Sequence, residues 1–171
     1  MPSTPPPPPP SPVPVPDAEI EALNLAPVAK AAAYALKKAQ PSVKFTSGRR
    51  GLADQVRAMA GNVVLDRSWI GTTYKDSPLC RRLQAWVNSH PQAKTKDDIA
   101  AGLRSVFTAA TQAEVGSFSK HLSGEAFDVQ PVVPDTNNIT ATIRGLAGLE
   151  LFLDKEGQLL RWHAQFKTPP A

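Results

Sequence analysis

Apolar residues recur every three to four positions through most of the first two-thirds of the chain, and at every second position mainly near its end. Val28, Ala32, Ala35 and Leu36 share one face of a helix predicted from Pro27 to about Gln40, which Pro41 closes. Proline suits a first turn because the amide it lacks would have no intrahelical partner there. A shorter helix precedes this one, capped by Asp17 and running through Leu25. The same period predicts helices over 52–65 (Val56, Met59, Ala60, Val63), 77–89 (Leu79, Leu83, Trp86, Val87) and 96–110 (Ile99, Leu103, Val106, Phe107). A last helix, over 139–146, follows a capping region at 135–138.

Alternation predicts a short strand at Val43 and Phe45, ending in the turn Ser47-Gly48-Arg49-Arg50. It predicts a second strand over 126–133, and a hairpin of 149–153 with 159–166 about a turn at 154–157, where Gly157 takes positive φ most easily. Residues 69–76 fit neither period well and read as extended; 116–124 read as loop. The expected class is α+β, with helices packed on a small antiparallel sheet. No internal repeat is visible.

Composition adds a boundary. Ten of the 18 prolines fall within the first 16 residues, and proline neither donates an amide nor permits a sheet interior. Residues 1–16 are therefore expected to form a disordered, polyproline II-like tail, able to tether the chain to a partner. Residues 17–171 are the size of one domain with a single core, and 42% hydrophobic residues suit a folded body.

A net charge of +4 suits a polyanionic partner such as an acidic cell wall. The basic residues are spread along the chain with no run longer than a pair (Lys37-Lys38, Arg49-Arg50, Arg81-Arg82) and few aromatics between them, so no nucleic-acid partner is expected. Cys80 is the only cysteine, which excludes an intramolecular disulfide and a thiolate-rich metal site. It reads as a small buried hydrophobe on a helix. No apolar run reaches the roughly 18 residues of a spanning helix, so no membrane insertion is expected. The N-terminus lacks the charged-then-apolar layout of a secretory signal, which implies another export route.

Two of the three histidines stand in unusual company. His121 is followed by Gly124, Ala126 and Asp128, and on an extended segment these last three point to one face. The small residues leave room for a metal ion between imidazole and carboxylate. Trp162-His163 on the terminal strand is the one strong candidate for a third ligand. Two histidines and one carboxylate leave a fourth position open, the layout of a catalytic zinc site. By composition alone, His121 and Asp128 could equally hydrogen-bond in a turn, with His163 a half-buried strand residue. His90 has no ligand-type neighbour at suitable spacing and reads as a loop residue.

The series Ser119, His121, Gly124, Ala126, Asp128, followed by Trp162-His163, resembles the family of zinc D-Ala-D-Ala carboxypeptidases and phage endolysin peptidases. That family shares the Hedgehog/DD-peptidase fold. Ser47-Gly48-Arg49-Arg50, then Gln55, resembles its Ser-Gly-Tyr-Arg turn, so the likeness spans about residues 43–166. The resemblance implies Zn2+ held by His121, Asp128 and His163. It implies that Arg50 polarises the scissile carbonyl, and that Ser119 and Ser123 contact substrate or ligands.

Relatives carry an acid three residues before the last ligand; here Leu160 stands there. Glu150, Asp154 and Glu156 are the nearby acids. If 154–157 form a two-residue-loop hairpin, Leu153 pairs with Gln158 and Glu150 falls opposite Arg161, on the metal side. Glu150 is then the first substitute base and Glu156 the second, while an ion pair with Arg161 is the plainer role for Glu150. Glu125 alternates away from Asp128.

The function implied is a zinc peptidase cutting peptidoglycan stem peptides, of endolysin or secreted-effector type, acting in the periplasm or outside the cell. The alternative is a peptidoglycan- or protein-binding module of the same fold that has lost its acid. Which stem-peptide bond is cut is not legible in these motifs.

Overall fold

The computed structural model describes residues 15–169; the tether expected over 1–16 lies, but for its last two residues, outside them. Asp17 caps α1 (Ala18–Ala22) by accepting from the amides of Glu19 and Ile20. Helix α2 (Pro27–Ala39) starts on its proline, and β1 (Phe45–Ser47) follows. Four helices come next: α3 (Leu52–Leu65), α4 (Trp69–Thr73), α5 (Pro78–Ser89) and α6 (Lys96–Thr108). Two short ones, α7 (Gln112–Phe118) and α8 (Lys120–Ser123), lead into β2 (Ala126–Val129). Helix α9 (Ile139–Arg144) precedes β3 (Leu149–Glu156) and β4 (Leu159–Phe166). The strands form one antiparallel sheet in the order β1-β2-β4-β3, so the mixed helix-and-sheet class expected above is the one observed.

Two apolar clusters lie on either side of the functional residues. In the first, α1, α2 and α9 cover one face of the sheet, burying Ile20, Leu36 and Ile143 against Phe127, Trp162 and Phe166. In the second, α3 to α6 pack around Met59, Ile70, Leu83, Leu103 and Phe107. Strand alternation then does the positioning. Phe127 and Val129 of β2, with Trp162, Ala164 and Phe166 of β4, belong to the first cluster. Asp128, His163 and Gln165 consequently face the other way.

Close approach of α5 to α6 depends on Gly102, where a Cβ would overlap the Trp86 indole. Arg67 closes the C-terminal end of α5 by donating to the carbonyls of Val87, His90 and Ala93 at 2.6–3.0 Å. Among the described residues no helix is long and apolar enough to cross a membrane.

Several segments differ from the pattern reading. Residues 69–73 are helical rather than extended, because Trp69 and Ile70 are drawn into the second cluster. The expected loop over 116–124 is α8 and the end of α7. Helix α7 starts on a capping box in which the Thr111 hydroxyl accepts from the Glu114 amide and the Glu114 carboxylate from that of Thr111. Strand β2 stops at Val129, short of 133, because Pro131 offers no amide to continue the ladder.

The hairpin register is also corrected. Its turn is Gly157-Gln158, with Glu156 opposite Leu159 and Leu153 opposite His163. A register shift sets Arg161 and Trp162 of β4 against Asp154 alone, a bulge that the pattern does not announce.

Candidate metal centre

Asp128 and His163 are directly opposed on β2 and β4, so their side chains emerge together from one face of the sheet. His121 arrives from α8. Ser119 caps this single turn by accepting from the His121 amide at 3.3 Å, and Gly124 ends it at φ 78, where an L side chain would be strained. The Arg50 amide donates to the His121 carbonyl at 3.0 Å, tying the helix to the turn that follows β1.

The His121 ring Nδ1 lies 2.8 Å from the Gly48 carbonyl oxygen. A carbonyl can only accept, so Nδ1 carries the proton and Nε2 presents a lone pair when the ring is neutral. That Nε2 lies 3.2 Å from His163 Nδ1 and 3.2 Å from Asp128 Oδ1; the last two atoms are 2.8 Å apart. Ligands about 2.0–2.1 Å from a tetrahedral cation sit about 3.3–3.4 Å from one another, so two of the three spacings nearly match and the Asp128–His163 pair would open by roughly half an ångström. His121 and His163 are buried and Asp128 nearly so. The three residues form a group that could hold a metal ion.

Without a cation, a proton must separate the facing atoms. Burial works to lower the pKa of His163, but the hydrogen bond and charge of Asp128 and the charge of Glu156 outweigh it and hold it above its ordinary value. Burial keeps His121 below its ordinary value despite Asp128. Burial likewise opposes ionisation of Asp128, yet the two imidazoles hold it well below the usual carboxylate range. A proton and a metal ion would thus compete for the same facing atoms.

The outer oxygen of the Asp128 carboxylate is held as well. Asp128 Oδ2 accepts from Ser47 Oγ at 2.8 Å and Arg50 Nη2 at 2.7 Å, and that Arg50 nitrogen also donates to Ser47 Oγ at 2.6 Å. This differs from the carbonyl-polarising role implied for Arg50, whose guanidinium is turned onto the ligand. Ser119 serves the backbone of α8, and Ser123 donates to Glu125 at 2.8 Å; neither hydroxyl bonds a metal-facing atom.

The two candidate bases separate. Glu156 Oε1 stands 3.8 Å from His163 Nδ1, its side chain only 13% exposed. Glu150 does not meet Arg161; it accepts from Gln165 at 3.2 Å and lies 3.8 Å from Lys120. The position of the turn is the cause: with Gly157-Gln158 at its tip, Glu150 falls beside Gln165, and Arg161 donates to Asn62 at 3.1 Å. Asp154 pairs with Arg144 at 3.4 Å, away from the ligands.

The centre opens into a cavity of about 980 Å3, lined among others by Glu156, Tyr74, Trp69, Phe118 and Leu160. Tyr74, which no motif marked, accepts from Gln55 at 2.8 Å and stacks on Phe118 with centroids 4.3 Å apart. Its burial, with the nearby Glu156, raises its hydroxyl pKa, so it remains a neutral donor. Gln165 was likewise missed; only its place two residues past His163, on the same strand face, points to it.

Beside the centre, Glu125 accepts from Thr168 (2.7 Å), Lys120 (3.0 Å) and Ser123 (2.8 Å). The Thr168 hydrogen bond is the main cause that, with Lys120 and Ser123, brings its pKa down to about 2. A depressed folded-state pKa stabilises above the unfolded value of 4.5 and ceases to do so as pH falls towards 2. Glu125→Gln is expected to cost about 1 kcal/mol near neutral pH, after allowance for solvent screening. Urea denaturation of both proteins should show that gap closing as pH falls from about 5 through about 2; a gap independent of pH would refute this account.

Comparison with protein-family models, curated proteins and solved structures found no match, so the functional reading rests on the site itself.

Proposed function

We propose that this chain is a zinc-dependent peptidase of the Hedgehog/DD-peptidase fold that hydrolyses stem-peptide bonds of peptidoglycan. The observation that carries the reading is the convergence of His121 Nε2, Asp128 Oδ1 and His163 Nδ1 at the wall of a large open cavity, with the Glu156 carboxylate beside them. Two imidazoles and one carboxylate suit zinc among the common biological dications, and three protein ligands leave a position open for chemistry. The family resemblance of the same residues supplies the substrate class. The positive charge suits an anionic wall polymer, reached outside the cell or in the periplasm by phage release or a dedicated secretion route.

Zinc bound here would supply Lewis-acid chemistry, polarising a peptide carbonyl and lowering the pKa of water. The remaining work falls to the chain. Ser47 and Arg50 hold Asp128 in its ligating orientation, and the Gly48 carbonyl holds His121 in its own. Glu156 takes the proton of the attacking water and returns it to the departing amine. It replaces, across the hairpin turn, the acid that relatives place where Leu160 stands. Tyr74 and Trp69 wall the cavity and exclude bulk water from one side.

Leu160 itself favours a second reading, a binding module that keeps zinc and substrate affinity but not turnover. Metal analysis of the full chain, with chromatography of muropeptides after incubation with peptidoglycan, separates the two. The peptidase reading expects one zinc per chain and new fragments. Zinc without fragments selects the binding module, and no zinc at all overturns the metal centre.

A further inference from the structure

Beyond the ligands, a chain of hydrogen bonds runs from His163 to an acid that the sequence marked for a different role. His163 Nε2, the ring nitrogen turned away from the other ligands, is 3.3 Å from Gln165 Oε1. Gln165 Nε2 donates to Glu150 Oε2 at 3.2 Å, and Lys120, next in sequence to the ligand His121, lies 3.8 Å from that same oxygen.

The polarity of this chain is forced from its outer end. An ionised carboxylate only accepts, so the Gln165 NH2 group must face Glu150. The amide carbonyl must then face His163. A carbonyl also only accepts, so His163 must carry its proton on Nε2, and Nδ1 is the nitrogen left bare once a single proton remains on the ring. Nδ1 is the atom that meets His121 Nε2 and Asp128 Oδ1. Without the relay, the ring has an attractive alternative, a neutral tautomer protonated at Nδ1 and donating to Asp128 over 2.8 Å, which blocks the ligand atom.

Resting on the metal centre proposed above, we propose that Gln165 and Glu150 are its positioning pair: Glu150 sets the orientation of the Gln165 amide, and the amide sets the tautomer through which His163 binds metal. Glu150 then acts two bonds removed from the ion rather than as a base. Lys120 stands 3.0 Å from Glu125 and 3.8 Å from Glu150, linking this relay to α8 and to the other histidine ligand.

The test measures zinc affinity of the full chain by competition with a chromogenic chelator, and the His163 tautomer of the zinc form from its ring 15N shifts. Gln165→Leu is expected to weaken zinc binding about 10–100-fold, as loss of an outer hydrogen bond to a ligand typically does. Glu150→Gln is expected to weaken it less, because the amide at 165 is then free to turn either way. The exchange Gln165→Glu with Glu150→Gln restores an acceptor at His163 and a donor behind it, and is expected to bring affinity back to within about threefold of wild type.

That rescue distinguishes positioning from bulk packing, and the near-isosteric double variant carries the test if Gln165→Leu fails to fold. Unchanged affinity in Gln165→Leu, or a double variant with lower affinity than Glu150→Gln alone, overturns the proposal. Unchanged affinity in Glu150→Gln overturns the part given to Glu150. Wild type that takes up no zinc overturns the metal centre, and this relay with it.

Discussion

Alanine in place of Asp128 is expected to abolish zinc uptake and to cost the metal-free protein about 3 kcal/mol of stability. The size follows from how many groups this one carboxylate serves. Its inner oxygen faces both imidazoles, and its outer oxygen accepts from Ser47 and Arg50. Removing it leaves the Arg50 guanidinium, only 19% exposed, without its anion, together with a hydroxyl and a ring nitrogen lacking an acceptor. Asp128→Asn keeps the volume and one acceptor oxygen, so it should recover part of the stability and little of the metal affinity.

Metal analysis and urea denaturation with and without chelator read both effects. Wild type should gain about 2.7 kcal/mol when free zinc is a hundredfold above its dissociation constant, and the alanine variant nothing. Stoichiometric zinc in Asp128→Ala would remove the carboxylate from the ligand set.

Glu156→Gln is expected to lower hydrolysis about 10²–10⁴-fold while zinc remains bound, the loss typical of a missing general base. Glu150→Gln should differ in kind, with hydrolysis close to normal once zinc is saturating. Burial pushes the Glu156 carboxyl above its ordinary value, and the charge of Asp128 adds to this against the pull of His163. A base must be ionised to act, so activity should fall on the acid side as pH drops through the value Glu156 has beside bound zinc, whose charge works against this raise.

Stability runs in the opposite direction. In the metal-free protein the folded state holds this proton more tightly than the unfolded state, so the contribution is present below 4.5 and is lost as pH rises through the folded value. Glu156→Gln should therefore be at least as stable as wild type at neutral pH, the usual relation between a catalytic carboxylate and its buried setting. Muropeptide chromatography with a denaturation series checks both. Undiminished hydrolysis in Glu156→Gln would return the search for a base to the other groups of the cavity.

Much of this protein is legible without coordinates because its signals are local. The helical period of Val56, Met59 and Val63 or of Ile99, Leu103 and Phe107 reflects which face one helix buries, and proline and Asp17 mark helix starts by their own chemistry. His121, Asp128 and His163 stand out because few residue types can ligate metal and small residues surround two of them. The Thr111–Glu114 capping box was equally available from the residues and marks a helix that periodicity passes over.

What only the tertiary structure decided depends on contacts between distant segments. A strand pattern says which residues alternate, but not where two strands slip by one. The turn at Gly157-Gln158 brings Glu150 to Gln165 instead of Arg161, while Glu156 stands beside His163. Trp69 becomes helical through its burial in the second cluster, and Tyr74 reaches the cavity through its stack on Phe118. The sequence by itself marked the three candidate ligands and the two strands that carry Asp128 and His163. Register and burial, which are set by the packing of the whole chain, decided which acid serves them.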